Sequence, residues 1–100
     1  MTTLFQEKIY SKLKRVPKGK VTSYGELAKA VGSKAYRAVG QAMHKNPYAP
    51  KVPCHRVVCS DGSIGGFAAG VKKKIEMLAK EGIIVKNGMI VDFEERLYKF

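Results

Sequence analysis

The chain has few cysteines and no long apolar run. Its two cysteines, Cys54 and Cys59, are too few for a small secreted domain held together by disulfides, so we expect both to be reduced thiols. No stretch reaches the roughly 18 apolar residues of a transmembrane helix, and residues 1–10 lack the charged-then-apolar layout of a signal peptide. The sequence therefore predicts a soluble, cytoplasmic protein with no membrane partner.

Internal repeats, low-complexity segments and interior linkers are also absent. One hundred residues is the size of one small domain. A hydrophobic content of 45% with 27% charged residues is typical of a chain that folds. We expect residues 1–100 to form a single domain and to act as a monomer.

Acidic residues are scarce, and unevenly so. Nineteen Lys and Arg stand against eight Asp and Glu, for a formal net charge of +11. Residues 8–60 hold twelve basic residues and one acidic residue, Glu26, whereas residues 61–100 are almost balanced at seven against six. This asymmetry indicates a polyanionic partner, of which nucleic acid is the commonest. A lysine-rich surface kept for solubility is the alternative.

Hydrophobic periodicity predicts helices in the first half of the chain. Apolar residues at helical spacing predict an amphipathic helix over residues 3–14, ended by a proline and a glycine. Ser23 followed by Glu26 forms a capping box that opens a second helix. Gly32 fits the left-handed residue that ends it.

A tight turn then leads to a third helix over residues 34–44. Its outer side is polar and basic at steps of three and four, through Lys34, Arg37, Gln41 and His44. Two short helices joined by a tight turn, the second with a basic outer stripe, are typical of a helix-turn-helix. Gly40 in the middle of this helix costs about 1 kcal/mol relative to Ala and suggests that another molecule approaches its backbone closely.

The second half contains short strands and one more helix. Residues 55–59 form an apolar strand candidate, and apolar residues between 71 and 79 mark a helix closed by Gly82. Residues 83–91, with Asn87-Gly88 at their centre, predict a β-hairpin. The expected fold is mostly α with a small β component, a winged helix-turn-helix-like single domain.

The segment PCHRVV, residues 53–58, concentrates the reactive side chains. A thiol is a nucleophile as its thiolate, which a neighbouring base or positive charge favours. If the segment is extended, Cys54 and His55 point to opposite faces, so a bridging water or a turn at Pro53 is needed to couple them. From the residues alone the thiols could be a nucleophile, metal ligands or inert core groups.

Metal binding is the weakest of these interpretations. Four side chains could supply ligands, namely His44, Cys54, His55 and Cys59. The chain has no CxxC or HxxxH pair, so the spacing is poor for structural zinc. Cys59 lies in an apolar run, which favours a buried core thiol.

The PCHRVV segment resembles the active-site signature of the O6-alkylguanine-DNA alkyltransferases, or methylated-DNA–protein-cysteine methyltransferases. Other stretches fall in that family's order and spacing: Val21-Thr22-Ser23-Tyr24, residues 37–43 (RAVGQAM), Asn46-Pro47, Gly65-Gly66-Phe67 and Lys80-Glu81-Gly82. The similarity runs from about residue 4 to residue 85. It identifies the chain with the family's C-terminal DNA-binding and active-site domain, with the family's N-terminal domain expected to be absent.

The resemblance implies a set of catalytic roles. Cys54 would take the alkyl group from O6 of guanine, His55 would act through a water as the base for the thiol, and Glu81 would orient His55. Asn46 would hold the active-site turn by hydrogen bonds. Tyr24 would donate a hydrogen bond or proton to N3 of the leaving guanine. No metal or organic cofactor is implied.

The resemblance also implies how DNA is bound. The backbones of Cys54 and Val57 would contact the base edge, and Phe67 and Ala68 would line the pocket. The alkylated guanine would be flipped out of double-stranded DNA, with Arg37 filling the gap and its helix in the minor groove. The expected DNA-contacting residues are Lys34, Ala35, Tyr36, Arg37, Gly40 and Gln41.

Three features depart from the family pattern. The family's further N-terminal domain is expected to be absent, Ala68 stands where a serine is usual, and Tyr36 replaces a small residue before Arg37. Ala68 has no hydroxyl, although its backbone N–H could still reach O6. Tyr36 could alter the fit to the minor groove.

Two rival functions stay open. Alkyltransferase-like proteins share the compact architecture, bind alkylated guanine and recruit repair factors without transferring anything. They lack the reactive cysteine, so Cys54 favours the transferase, whereas the short length and Ala68 resemble the other branch. A winged-helix DNA-binding regulator is the third hypothesis, but it would not need the Pro-Cys-His-Arg segment.

Overall fold

Helices make up most of the regular structure. The computed structural model describes residues 3–49, 51–67 and 69–100, which are mostly helical with two small sheets, so the predicted fold class is confirmed. None of the helices in these ranges is long and apolar enough to cross a membrane. The elements in chain order are α1 (Leu4–Leu13), β1 (Thr22–Ser23), α2 (Tyr24–Ala30), α3 (Tyr36–His44), a 3-10 turn (Cys54–Arg56), β2 (Val57–Val58), α4 (Val71–Lys80), β3 (Val85–Lys86), β4 (Met89–Ile90) and α5 (Phe93–Arg96).

The first helix begins at a two-way cap and supports α3. Thr3 Oγ1 accepts a hydrogen bond from Gln6 N at 3.1 Å, and Gln6 Oε1 accepts one from Thr3 N at 3.0 Å. Two N–H groups that a helix start leaves free are thereby bonded. The buried Tyr10 donates its hydroxyl proton to Ala42 O of α3 at 2.8 Å. This bond fixes α3 against α1.

The start and end of α2 follow the sequence prediction. Ser23 Oγ accepts a hydrogen bond from Glu26 N at 3.0 Å. Gly32, just after the helix, has φ +69°, a left-handed conformation that glycine adopts without steric penalty.

The third helix begins at Tyr36, two residues later than predicted. Ser33 Oγ accepts a hydrogen bond from Ala35 N at 2.9 Å, and this local turn holds Lys34 and Ala35 outside the helix. Val39, Ala42 and Met43 are buried on the side opposite the basic stripe, and Ala38 is half-buried.

The predicted strand over residues 55–59 is wrong except at its centre. Only Val57 and Val58 form a strand, paired in parallel with Thr22 and Ser23 of β1. The preceding residues form the 3-10 turn, in which Arg56 N donates to Pro53 O at 2.9 Å. The β1–β2 pairing joins the start of α2 to the end of this turn.

The predicted hairpin and fourth helix are present. Asn87 and Gly88 have φ of +52° and +75°, the conformation of a type I′ turn. Helix α4 differs from its predicted apolar face. Leu78 is fully buried, whereas Val71 is 41% exposed and Lys74 is fully buried.

Candidate active site

A cavity of about 220 Å³ opens between α2, α3 and the 3-10 turn. Its lining residues are Tyr24, Gly40, Met43, His44, Cys54, Gly66 and Phe67. Three side chains assigned to the site from the sequence, those of Tyr24, Cys54 and Phe67, thus face one cavity. Met43 and His44 were not assigned to the site. Both lie on the last turn of α3, three and four residues after Gly40. This helical spacing, which puts them on the same face as Gly40, is the signal that could have predicted them from the sequence.

Cys54 is the first residue of the 3-10 turn. Its thiol is free and half-buried. Its backbone N–H donates to Val52 O at 2.9 Å, and its carbonyl accepts from Val57 N. The thiol is therefore carried on a backbone that is hydrogen-bonded on both sides.

Asn46 braces the chain that leads into this turn. Its Nδ2 donates to Val52 O at 2.8 Å, and its Oδ1 accepts from Tyr48 N at 2.9 Å. Val52 O therefore receives bonds from both Asn46 and Cys54. Asn46 lies outside the cavity lining and acts on the backbone two residues before the thiol.

His55 and Arg56 converge on one carboxylate. His55 Nε2 lies 3.0 Å from Glu81 Oε2, and Arg56 donates from Nε to Oε1 at 2.8 Å and from Nη2 to Oε2 at 2.7 Å. Arg56 Nη1 also donates to Val16 O at 2.8 Å. In an extended strand adjacent side chains point to opposite faces, so both can reach Glu81 only because the segment turns.

The charge state of Glu81 follows from these partners. Burial opposes ionisation, but hydrogen bonds from Arg56 and His55 outweigh it and hold the pKa of the Glu81 carboxyl below its ordinary value. An ionised carboxylate only accepts hydrogen bonds, so His55 carries its proton on Nε2. The ring is fixed in one tautomer and is 4% exposed.

Tyr24 faces the cavity as a protonated phenol. Burial, followed by the nearby thiols of Cys59 and Cys54, raises the pKa of the Tyr24 hydroxyl. The wall beside it depends on Gly65, which has φ +70°. A Cβ there would lie 3.2 Å from Cys59 Sγ, so no larger residue fits without displacement.

The residues expected to contact DNA lie on α3 or just before it. Arg37 and Gln41 are exposed on α3, and Tyr36 is 56% exposed at its start. Lys34 and Ala35 are exposed just before the helix. Gly40 is a different case, because it lines the cavity and an added Cβ would meet no atom within 4 Å.

Ala68 and Val57 are the other residues expected at the pocket for the base. Ala68 lies outside the described residues. Val57 is buried, and both of its backbone polar groups already have partners, because N donates to Cys54 O and O accepts from Lys74 Nζ.

Sequence reasoning missed Lys74. Its Nζ donates to the carbonyls of Val57 and Ile64 at 2.6 Å each and of Gly66 at 3.2 Å. The signal was available, because Lys74 lies four residues before the buried Leu78 on the apolar face of α4. A run of three lysines at positions 72–74 concealed it as an ordinary solvated surface.

The residues considered as metal ligands are not assembled into one site. In residues 3–49, 51–67 and 69–100, no three His, Cys, Asp or Glu side chains are placed to hold an ion. His44 lines the cavity, whereas His55 is bonded to Glu81.

Comparison with known proteins relates the chain to alkyl-DNA repair proteins. The profile of the 6-O-methylguanine DNA methyltransferase DNA-binding domain matches residues 4–83. A methylated-DNA–protein-cysteine methyltransferase of Thermococcus kodakarensis is 49% identical over 82 residues, 81% of this chain and 46% of that protein. The chain spans about half the length of the curated methyltransferases that it matches.

Solved structures give the same relationship. Mycobacterium tuberculosis OGT in complex with DNA has a TM-score of 0.79 at 40% identity, over 82% of this chain and 51% of that one. S. pombe Atl1, in complex with damaged DNA containing O6-carboxymethylguanine, has a TM-score of 0.82 at 33% identity, over 100% of both chains.

Proposed function

We propose that this chain, which belongs to the 6-O-methylguanine DNA methyltransferase family, repairs DNA by moving an alkyl group from O6 of guanine to its own Cys54. The observation that carries the proposal is the position of Cys54. Its thiol faces a cavity with Tyr24 and Phe67, while the next residue, His55, is bonded to Glu81.

The same stretch that matches the DNA-binding domain also contains the reactive residues. Cys54, His55 and Glu81 all lie within the matched residues 4–83. This position supports the inference that the chain carries the family's active-site domain and not a DNA-binding module alone. It also supports classification as a single-turnover cysteine S-methyltransferase.

The reaction is one displacement. The thiol proton leaves, the Cys54 sulfur attacks the alkyl carbon, and a carbon–sulfur bond forms as the carbon–O6 bond breaks. The electron pair stays on the purine, which takes up a proton and leaves as guanine. The thioether product has no leaving group that a cellular thiol would displace readily, so each molecule acts once.

His55 and Glu81 supply the base for the thiol proton. With Nε2 protonated and bonded to the Glu81 carboxylate, Nδ1 is the ring nitrogen that can accept a proton, through a bridging water. The ionised carboxylate stabilises the imidazolium that results. This is the oriented-base arrangement of a catalytic triad with a thiol as nucleophile.

Tyr24 stabilises the leaving base. Its raised pKa keeps the phenol protonated at neutral pH, so the hydroxyl can donate to N3 of the purine as negative charge develops there. Asn46 holds the backbone ahead of Cys54, and the backbones of Cys54 and Val57 contact the base edge. Phe67 forms the apolar wall of the pocket.

DNA binds along α3. A base inside a duplex cannot reach a cavity in the protein, so the alkylated guanine is flipped out and Arg37 fills the gap in the stack. Helix α3 contributes Gly40, Met43 and His44 to the cavity lining, which supports a flipped base lying beside this helix. The exposed cations of the first half of the chain contact phosphates and give binding that weakens with salt.

Intact-mass spectrometry tests the proposal. The chain is incubated with duplex DNA carrying one O6-methylguanine, with Cys54→Ser and Cys59→Ser measured in parallel. We expect a mass gain of one methyl group, absent in Cys54→Ser and retained in Cys59→Ser. No gain in the native chain at saturating lesion would refute the transfer.

One observation favours a second candidate function. The fold matches that of S. pombe Atl1, solved in complex with damaged DNA containing O6-carboxymethylguanine, with a TM-score of 0.82 at 33% identity. A lesion-binding protein without transfer would bind O6-methylguanine DNA more tightly than unmodified DNA and show no mass change. Cys54 argues for the transferase.

A further inference from the structure

Lys74 of α4 is a buried cation at the wall of the cavity. Its side chain is 0% exposed. An ammonium group has three N–H donors, and Lys74 Nζ uses them on three carbonyls, those of Val57, Ile64 and Gly66.

The three carbonyls belong to the two segments that form the site. Val57 directly follows the 3-10 turn that carries Cys54. Ile64 and Gly66 lie on the stretch that leads to Phe67, and Gly66 itself lines the cavity. One ammonium group therefore ties the segment of the nucleophile to the stretch that forms another part of the pocket wall.

Stability alone does not account for a lysine in this position. His55 and Arg56 are both bonded to the Glu81 carboxylate, whereas the hydrogen bonds of Lys74 all go to neutral carbonyls. Removing a charge from water is costly, and apolar residues often replace buried charges without loss of stability. The ionisable groups that interact with Lys74 are the thiols of Cys54 and Cys59.

We propose that Lys74 is a positioning residue for the transfer, which rests on the function proposed above. Its ammonium group holds the Ile64–Gly66 wall against Val57 at the spacing that presents the flipped base to Cys54. Loss of the side chain or of its proton releases the wall while leaving the helices in place.

The proton on Lys74 gives the clamp a pH dependence. Burial lowers the pKa of Lys74 to about 8, opposed in part by the Cys59 and Cys54 thiols. Below that pH the ammonium satisfies all three carbonyls, and above it a neutral amine has two N–H donors for three acceptors. The clamp is therefore intact at neutral pH and weakens as the pH rises through about 8.

The rate of methyl transfer in a single turnover tests the role. It is measured for the native chain, for Lys74→Met and for Lys72→Met, an exposed lysine on the same helix, across a pH range that brackets 8. We expect Lys74→Met to slow transfer about tenfold at neutral pH, equivalent to one lost interaction in the transition state. We expect Lys72→Met to keep the native rate, and Lys74→Met to lose the decline that the native rate shows above pH 8.

Lesion affinity and backbone signals separate positioning from misfolding. Lys74→Met should bind O6-methylguanine DNA with near-native affinity, since α3 is intact. In the native chain, the amide NMR signals of Gly66 and Phe67 should titrate together with the Lys74 Nζ signal. The positioning role of Lys74 would be overturned if Lys74→Met kept the native rate and pH profile, or if the amide signals did not change as Lys74 titrates. Neither result would contradict the proposed function. Absence of transfer by the native chain at every pH would instead overturn the proposed function.

Discussion

The two sides of the Cys54 segment treat buried charge in opposite ways. Behind the segment, His55 and Arg56 share the Glu81 carboxylate, and Arg56 also reaches Val16 O. On the cavity side, the buried Lys74 meets only neutral carbonyls. One side is a balanced ion cluster, and the other keeps a buried cation, Lys74, whose hydrogen-bond acceptors carry no charge.

The difference shows which side is fixed and which can respond. The partners of Glu81 lower the pKa of its carboxyl, so this carboxylate stays ionised through the neutral range. Lys74 has its pKa lowered to about 8 by burial, so it changes charge just above neutrality. The carboxylate that orients His55 is thus held constant, while the wall of the pocket depends on a single proton.

Replacing the shared carboxylate should have the largest effect on transfer. Glu81→Gln keeps the size and an acceptor oxygen but removes the charge that orients and stabilises His55. We expect the single-turnover rate to fall by about 10²- to 10⁴-fold, the usual contribution of a positioned base. Lesion affinity should stay near native. Glu76→Gln, which changes an exposed carboxylate on α4, the helix that Glu81 directly follows, is the control, and equal rates for both variants would refute the role of Glu81.

Replacing Arg56, which donates to both oxygens of Glu81, should chiefly lower the free energy of unfolding. Arg56→Met leaves Glu81 with only His55 and leaves Val16 O without this donor. We expect the free energy of unfolding to drop by about 3 kcal/mol, the lower end for a buried pair because both side chains keep some exposure. Urea unfolding measures this, with the exposed Arg15→Met as control. A loss no larger than the control's would mean that the cluster is not stabilising.

Burial of the Lys74 ammonium group should make the free energy of unfolding rise with pH. Between about 8 and the ordinary lysine pKa of 10.5, the unfolded chain holds a proton on Lys74 that the folded chain has lost. Stability therefore increases with pH in this window, by on the order of 2–3 kcal/mol. The raised pKa of Tyr24 acts in the opposite direction only above about 10.

Urea unfolding at several pH values below 10 measures that rise. It should be present in the native chain and in Lys72→Met, and absent in Lys74→Met. If the free energy of unfolding rises with pH while the transfer rate falls, the pH effect lies in the pocket wall. If Lys74→Met keeps the rise in the free energy of unfolding, groups other than Lys74 cause that rise.

Local sequence signals predicted the elements whose cause is local. The cap at Ser23, the left-handed Gly32 and the Asn87-Gly88 turn each depend on residues a few positions apart. The strand over residues 55–59 failed because a contact distant in sequence decides that segment. Glu81 draws both His55 and Arg56 to one side, which an alternating strand would not allow.

The site was predictable only where family resemblance supplied the partners. That resemblance assigned Cys54, Tyr24 and Phe67, which the fold places on one cavity. Lys74 was not predicted, because a charged side chain is normally expected at the surface. Its three acceptors are backbone carbonyls, which are present in every sequence and so give no sequence signal. The later start of α3 was missed because the Ser33 turn competes with helix in a way that periodicity does not reveal.

The smallest expected effect, on stability and on DNA affinity, concerns Gly40, which lines the cavity. Gly40→Ala has room for its methyl group and lies within α3, so the free protein should gain about 0.5–1 kcal/mol in stability. If DNA approaches the helix there, the same methyl group should weaken binding to O6-methylguanine duplex, because it stands at the edge of the cavity. Thermal unfolding and fluorescence anisotropy measure the two effects. Gly32→Ala, at φ +69°, should instead lose stability, and unchanged DNA affinity in Gly40→Ala would show that the backbone of α3 is not approached at that point.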